Sequence, residues 1–344
     1  MSTRRMRRAS TLPVLLVLAC RPHGDGRGPA DPPATPAGTA TTPAATTEDD
    51  TATNDARILA AMREIEDKAA AARARWTPEL EATARTLMQT RWHSTAEAMR
   101  AIVASPHRQP DSPSRDPWRH PAQTLEFFGL TPTMHVFEVG PGGGWWTEML
   151  APLLAAQGQL SLAVYEATDQ DAARTQYRAR TVAALLASAP VLYDRIARVP
   201  NRGLSLDMGP DDSLDMVLVM RMTQNYMLGG GLEPFLAEAH AALHEGGVLA
   251  IEQHRAPASM TEPVHPELGY LPEAWLIAQV EAAGFELEAK SEINANPKDT
   301  KDHPQGVWSL PPVFADGEAT RAKYEAIGES DRMTLKFVKP RRRG

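Results

Sequence analysis

From about residue 134 to residue 338, short apolar runs alternate with longer amphipathic stretches, and no other feature constrains the fold as much. Met134 to Val139, Leu160 to Tyr165, Asp215 to Met220, Gly247 to Gln253 and Met333 to Val338 read as strands. Helices are expected over Trp145 to Leu154, Asp169 to Ala187, Leu232 to Leu243 and Pro272 to Ala283, the last ended by Gly284. Strands separated by helices pair in parallel, because the helix carries the chain back to the same end of the sheet. A strand such as Asp-Met-Val-Leu-Val-Met at 215–220 suits a sheet covered on both faces. The expected architecture is an α/β, doubly wound, mostly parallel sheet of about seven strands, with its ligand at the carboxyl ends of the strands.

Glu138-Val139-Gly140-Pro141-Gly142-Gly143-Gly144 follows the first strand and opens a helix. Glycine lets a backbone turn sharply and approach a ligand closely. Three readings are open: an S-adenosylmethionine site, a dinucleotide site, and a domain that binds nothing. The dinucleotide fingerprint is G-x-G-x-x-G. Its sixth position, counted from Gly140, is occupied by Trp145, where close helix–strand packing wants a small residue. The spacing found is G-x-G-x-G after an acid, which looks like motif I of class I methyltransferases. Glu166 ends the second strand 22 residues after Gly144. A carboxylate at that point accepts from both hydroxyls of a ribose.

From about Ser105 to Pro340 the chain resembles a family of bacterial, often exported, class I methyltransferases. The likeness rests first on Ser105-Pro106-His107-Arg108, Arg115-Asp116 and Arg119-His120-Pro121. It continues in Pro141-Gly142-Gly143-Gly144-Trp145 running into Thr147-Glu148, and in Glu252-Gln253-His254-Arg255-Ala256. Its longest stretch is Ser-Glu-Ile-Asn-Ala-Asn-Pro-Lys-Asp-Thr-Lys-Asp-His-Pro at 291–304 with Gly306-Val307-Trp308, and its last is Ile327 to Met333. Trp146 and Tyr226 depart from the family's expected Tyr and common Trp. The resemblance implies a Rossmann-like class I methyltransferase fold and S-adenosyl-L-methionine as cofactor. It implies that Glu138, Gly140, Gly142, Gly144 and Glu166 hold the cofactor, with Asp207 and Met208 near its adenine. It says little about the substrate.

In such a fold the residues just past the fourth strand face the transferred methyl group. Here they are Arg221-Met222-Thr223-Gln224-Asn225-Tyr226. The segment is not Asn-Pro-Pro-Tyr, which argues against adenine-N6 or glutamine methylation of that kind. With the only cysteine at position 20, a cysteine nucleophile is excluded, and no spaced set of acids marks a magnesium site. General acid–base or proximity catalysis remains. Glu252 and His254 occupy alternate positions at a strand end and share a side. His254 is the candidate base, with a structural histidine in a network with Glu252 as the other reading. Tyr226 is a further candidate, and Arg255 is expected to pair with Glu252.

The polar stretch at about 291–331 interrupts the last strand pair, as a lid would. It carries Asn294, Asn296, Lys298, Asp299, Lys301, Asp302 and His303, with Trp308 as an apolar anchor. Such residues suit recognition of a small polar substrate, and equally a loop whose charges pair internally. Arg108, Arg115, Arg119 and His120 are placed to complete the lid from the other side. His240 and His244 share a spacing that binds metal on a helix, but no third ligand accompanies them, and no metal is expected.

The chain opens with Arg4, Arg5, Arg7 and Arg8, then the apolar run Leu12 to Ala19. Val17-Leu18-Ala19-Cys20 resembles a bacterial lipobox, whose cysteine is lipidated after cleavage. An ordinary secretory signal is the alternative. The expected organisation is a signal peptide at 1–20, a disordered linker at 21–55, a helical neck at 56–104 and the methyltransferase domain at 105–344. The linker is rich in Pro, Ala, Thr, Gly and Asp and cannot bury enough surface to order itself. In the neck, Ser94-Thr95-Ala96-Glu97 reads as a capping box. A net charge of −7 argues against nucleic-acid binding. The expectation is an exported protein of the periplasm or cell envelope that touches the membrane only through its lipid.

Overall fold

A computed structural model describes residues 62, 64–168, 171, 173–201 and 206–341. Cys20, the signal segment and the linker lie outside the described residues. The first helix, α1, covers 64–74. It is followed by α2 (Pro78–Gln89), α3 (Thr95–Val103), α4 (Asp116–Arg119) and α5 (Pro121–Phe128). The alternating part then runs β1 (His135–Val139), α6 (Thr147–Leu154), β2 (Gln159–Tyr165), α7 (Ala173–Ser188), α8 (Pro190–Tyr193) and β3 (Ala197–Asn201). It continues with β4 (Leu214–Met220), α9 (Thr223–Leu228), α10 (Leu232–Ala242), β5 (Leu243–His254), α11 (Glu273–Ala282), β6 (Glu286–Ser291), α12 (Arg321–Ile327) and β7 (Arg332–Val338).

The strands form one sheet in the order β3-β2-β1-β4-β5-β7-β6. β1 to β5 pair in parallel, while β7 runs antiparallel to both β5 and β6. Alternate residues of each strand feed opposite faces, as the period of two requires. Val136, Leu160, Leu162, Met216, Leu218 and Ala250 join one core with α2, α3, α5, α6, α7 and α8. Phe137, Val139, Val217, Val219, Leu249, Ile251, Leu335 and Phe337 join the other with α10 and α11. Each fully buried large side chain contributes roughly 1.5–3 kcal/mol, so the two cores together dominate folding. Both edge strands are polar: β3 contains Pro200, whose missing N–H only an edge tolerates, and β6 alternates exposed and half-buried residues.

Two local events position the site. The chain winds outward from β1 to β3 on one side and from β4 onward on the other, which leaves a crevice at the carboxyl ends of β1 and β4. Because β7 is antiparallel, its first residue, Arg332, pairs with His254, the last of β5. The connection from β6 to β7, which contains the polar stretch, therefore arrives at the same edge of the sheet.

The helices before the sheet pack against it. Ala84, Leu87 and Met88 of α2 and Ala98, Met99 and Ile102 of α3 are buried in the same core as α6. Ser94 Oγ caps α3 by accepting from Glu97 N, while the Glu97 carboxylate accepts from His93 N. This is the capping box with its return bond moved one residue earlier.

Candidate functional site

The glycine loop lies at the switch point. Gly140, Gly142 and Gly144 have φ of 63°, 55° and 85°, the left-handed region that suits glycine. A Cβ at Gly140 would stand 2.8 Å from the Met222 side chain, so the loops after β1 and β4 touch. A Cβ at Gly144 would stand 2.3 Å from Leu185 of α7, which fixes the loop against its helix layer. At Gly142 and Gly143 a Cβ would meet nothing within 4 Å. The exposed rim of the loop thus presents bare backbone, shaped for close approach by a ligand.

Glu138 lies below the loop, 2% exposed, and its Oε2 accepts from Thr147 Oγ1 at the start of α6. Burial pushes its carboxyl up to about 8, with the Thr147 bond pulling the other way. Glu166 is exposed at the end of β2, and its N–H donates to Asn201 O at 3.2 Å. Asn201, which the sequence reading did not single out, is buried and ties this corner together: its Oδ1 accepts from Asp207 N, and its Nδ2 donates to Asp207 O. Asp207 is therefore held beside the end of β3, with its Oδ1 accepting from Gly209 N, and Met208 is buried next to it. Glu138 near the end of β1, and the three glycines, Glu166 and Asp207 on the loops that follow the strands, all fall at the carboxyl ends of the sheet.

On the other side of the crevice a polar network crosses from the N-terminal segment to the polar stretch. Arg119 is 2% exposed. It stacks on Trp145 at 4.8 Å, and its Nε donates to both oxygens of Glu329 at 2.9 Å. Arg332 lies 2.6 Å from Glu252 through Nε and donates from Nη1 to Glu329 at 2.7 Å. Burial would raise the Glu329 carboxyl, but Arg332, Arg119 and Arg221 outweigh it and hold it at about 2. Burial and Arg221 together lower Arg119 to about 9.

His254 is 7% exposed and shares a hydrogen bond through Nδ1 with Ser330 Oγ at 2.6 Å. Its partner is thus Ser330, because Glu252 is taken by Arg332. Burial, reinforced by Arg221, Arg332 and Arg119, holds the imidazole well below its ordinary range. His254 is therefore neutral at physiological pH and a weaker base than a free histidine. The expected Arg255–Glu252 pair is replaced: Arg255 pairs with Glu273, Glu292 and Asp331. Tyr226 is 2% exposed and stacks on Phe235 at 4.3 Å. Burial raises its hydroxyl above the usual tyrosine range.

The polar stretch is bonded in place. Asn294 Nδ2 donates to Thr124 and Thr334, and His120 Nδ1 lies 3.2 Å from Asn294 Oδ1. Asn296 Nδ2 donates to the carbonyls of Ile327 and Glu329. Asp299 accepts from Tyr270 Oη and the backbone N–H groups of Lys301 and Asp331, and lies 2.9 Å from His303 Nε2. Lys298 is exposed. Arg119 and His120 meet this stretch through bonds to Glu329 and Asn294. His240 and His244 do not share a helix face, because α10 ends at Ala242 and His244 stands on β5, 2.9 Å from Asp215. Among the described residues, no group of three or more His, Cys, Asp or Glu side chains is placed to hold a metal ion.

Arg221, Glu329, Ser330 and Arg332 were missed as site residues. Their signal was present: Arg221 begins the segment after β4, and the other three fall within Ile327 to Met333, a stretch that carries the family resemblance.

No family model and no curated protein matches the chain. Solved structures of similar fold include a SAM-dependent methyltransferase from Aquifex aeolicus, with 14% identity, 72% of this chain and 100% of that chain covered, and a TM-score of 0.45. Another is the glycopeptide N-methyltransferase MtfA in complex with S-adenosyl-L-homocysteine (13% identity, 64% and 87% covered, TM-score 0.40). A third is the cyclase SpnF (17% identity, 64% and 80% covered, TM-score 0.44). The chain has a Rossmann-like fold of the methyltransferase type, with a seven-stranded, mostly parallel sheet. Fold does not carry chemistry with it, and no residue role is taken from these proteins.

Proposed function

We propose that this protein transfers a methyl group from S-adenosyl-L-methionine to a small polar acceptor. The observation that carries the reading is the glycine loop: three left-handed glycines at the switch point, with bare backbone at Gly142 and Gly143 facing outward. The residues fit the cofactor: the loop suits its methionine end, Glu138 lies beneath, and the Glu166 carboxylate stands at the strand end where a ribose is held. The bound cofactor would supply an activated sulfonium methyl, so the chain has chiefly to align the acceptor and accept a proton where one is lost. His254 is unprotonated at neutral pH. With Nδ1 bonded to Ser330, Nε2 is the ring nitrogen that would take a proton from an acceptor. The stretch at 291–331 and the segment around Arg119 are bonded to each other and would border the acceptor.

A second reading, a non-catalytic protein that binds a nucleoside-like ligand in this pocket, is favoured by one observation. The suppressed basicity of His254 and the raised Tyr226 hydroxyl leave no ordinarily titrating base at these two positions. Turnover separates the readings. Calorimetric titration of wild type and Glu166→Ala with S-adenosylmethionine and S-adenosylhomocysteine tests the pocket. Micromolar binding that weakens at least tenfold in the variant supports it, and absence of binding to wild type sinks the methyl-transfer reading.

We further propose export and lipid anchoring through Cys20, which makes the protein an envelope enzyme. Cys20→Ser should move it from the membrane fraction to the soluble fraction on cell fractionation. An unchanged distribution would overturn the anchor.

A further inference from the structure

One positive charge in the crevice is unanswered. Arg119, Arg221 and Arg332 converge at the carboxyl ends of β4 and β5, and the carboxylates they reach are Glu252 and Glu329. His254 in their midst is neutral and offers no compensation. Arg332 is answered by Glu252 at 2.6 Å and Glu329 at 2.7 Å, and Arg119 by both oxygens of Glu329 at 2.9 Å. Arg221 makes one ion pair within 4 Å, with the already shared Glu329 Oε2 at 3.7 Å, and otherwise feels Glu252, already paired with Arg332, only as a field. Among the described residues its guanidinium donates no hydrogen bond. Other half-buried or buried arginines of this chain are treated differently. Arg108 makes a two-pronged bond to Asp116 and a third to Glu148, and Arg255 is met by three carboxylates. A guanidinium taken from water without partners loses hydration that only an anion replaces well.

The unanswered group is also the reachable one. The side chains of Arg119 and Arg332 are 3% and 2% exposed, that of Arg221 21%. Its backbone is fixed: φ is 58°, unusual for a residue with a Cβ, and its N–H donates to Glu252 O at 2.7 Å. That strain of about 1 kcal/mol is borne at the first position after β4, next to the Met222 that touches Gly140. Arg115 adds a weaker positive field at Arg221, and its own partner Asp111 forms only a surface pair. Like charges within range of each other repel, and an anion bound at Arg221 would relieve that repulsion.

We infer that Arg221 anchors an oxyanion of the methyl acceptor, a carboxylate or phosphate gripped by its planar fork at the end of β4. The inference rests on the methyl-transfer reading for the word acceptor. Guanidinium matches both anions through paired N–H donors. The cofactor carries a carboxylate of its own, so the same chemistry has a second source, and the experiment separates the two.

Acetate and inorganic phosphate are titrated by calorimetry into the full chain, alone and with saturating S-adenosylhomocysteine. The proteins are wild type, Arg221→Gln, Arg221→Lys and, as a surface control, Arg198→Gln. The expected result is saturable millimolar binding that persists with S-adenosylhomocysteine. It should weaken at least tenfold in Arg221→Gln, recover in part in Arg221→Lys and stay unchanged in the control. Thermal melts exclude misfolding, and Arg221→Lys keeps the test open if the glutamine variant does not fold. No saturable anion binding, or equal binding by Arg221→Gln, overturns the inference. So does displacement of the anion by S-adenosylhomocysteine, with Arg221→Gln weakening that ligand but not 5′-methylthioadenosine, which lacks the carboxylate. Anion binding without any binding of S-adenosylhomocysteine would instead sink the methyl-transfer reading and leave the anion site standing.

Discussion

Gly142 and Gly144 require glycine for different reasons, and substitution separates them. At Gly144 an added Cβ meets Leu185 at 2.3 Å and the backbone is left-handed, so Gly144→Ala combines overpacking with strain. It should lose about 2–4 kcal/mol in urea denaturation. At Gly142 nothing opposes the Cβ, so Gly142→Ala costs only the strain, roughly 1 kcal/mol. Its methyl nevertheless projects where a ligand would approach. S-adenosylhomocysteine affinity should fall more than tenfold while the melting temperature moves a few degrees. Equal stability losses in the two variants, with unchanged affinity, would mean that the loop is shaped for packing alone. Glu138 makes a pH-dependent contribution at the same scale. Burial pushes its carboxyl up to about 8, above the ordinary 4.5, so the buried group keeps its proton. Between those values the folded state binds more protons than the unfolded chain, so stability falls as pH rises through the window. Each unit crossed costs up to about 1.4 kcal/mol. Glu138→Gln should therefore gain stability relative to wild type from pH 5 to pH 8, as read by thermal melts. A constant difference would place the ionisation elsewhere.

At the scale of elements, the polar stretch between β6 and β7 decides between a hinged cover and a fixed one. Asp299 is fully engaged, with Tyr270, His303, Lys301 N and Asp331 N around its carboxylate. Asp299→Asn would turn an amide N–H₂ toward donors and leave buried groups unsatisfied. It should cost about 2–4 kcal/mol and increase amide exchange across 294–331. A hinged lid would instead show little loss of global stability. The same elements show what the sequence made legible. β1, β2, β4, β5 and β7 are apolar and were read to within a few residues, because their periodicity is set by burial. β3, which reads Ala-Arg-Val-Pro-Asn, lies at the edge with alternate residues exposed, so its pattern resembled a loop. The glycine loop could be read because its chemistry is contiguous. The arginine network could not, because Arg119 finds Glu329 210 residues away, and no local period encodes such a pair. The internal closure of Asn294, Asn296 and Asp299 was likewise hidden, since a polar residue looks the same whether it faces a ligand or a neighbouring carbonyl.

At the scale of the molecule, the helices before the sheet are part of the same packed body as the sheet. All eight residues of α6, the helix that follows the glycine loop, are buried, and α2 and α3 supply much of what buries them. Trp92 Nε1 donates to the carbonyl of Pro152 within that helix. Arg75 reaches further, donating to the carbonyls of Pro106, His107 and Arg108. It thereby holds the start of the segment that carries Arg108, Arg115 and Arg119 to the crevice. Two consequences are separable. Met99→Ala removes a fully buried side chain and should cost about 2–5 kcal/mol without altering the crevice. Arg75→Ala removes three hydrogen bonds from a segment end, so it should destabilise less, about 1–2 kcal/mol, yet loosen the 106–119 segment. Hydrogen exchange should then rise across 106–119, and anion binding at Arg221 should weaken several-fold, while the exchange of β4 and β5 amides stays as in wild type. If exchange rises uniformly across the sheet instead, the helices support the fold as a whole and exert no particular control over the site.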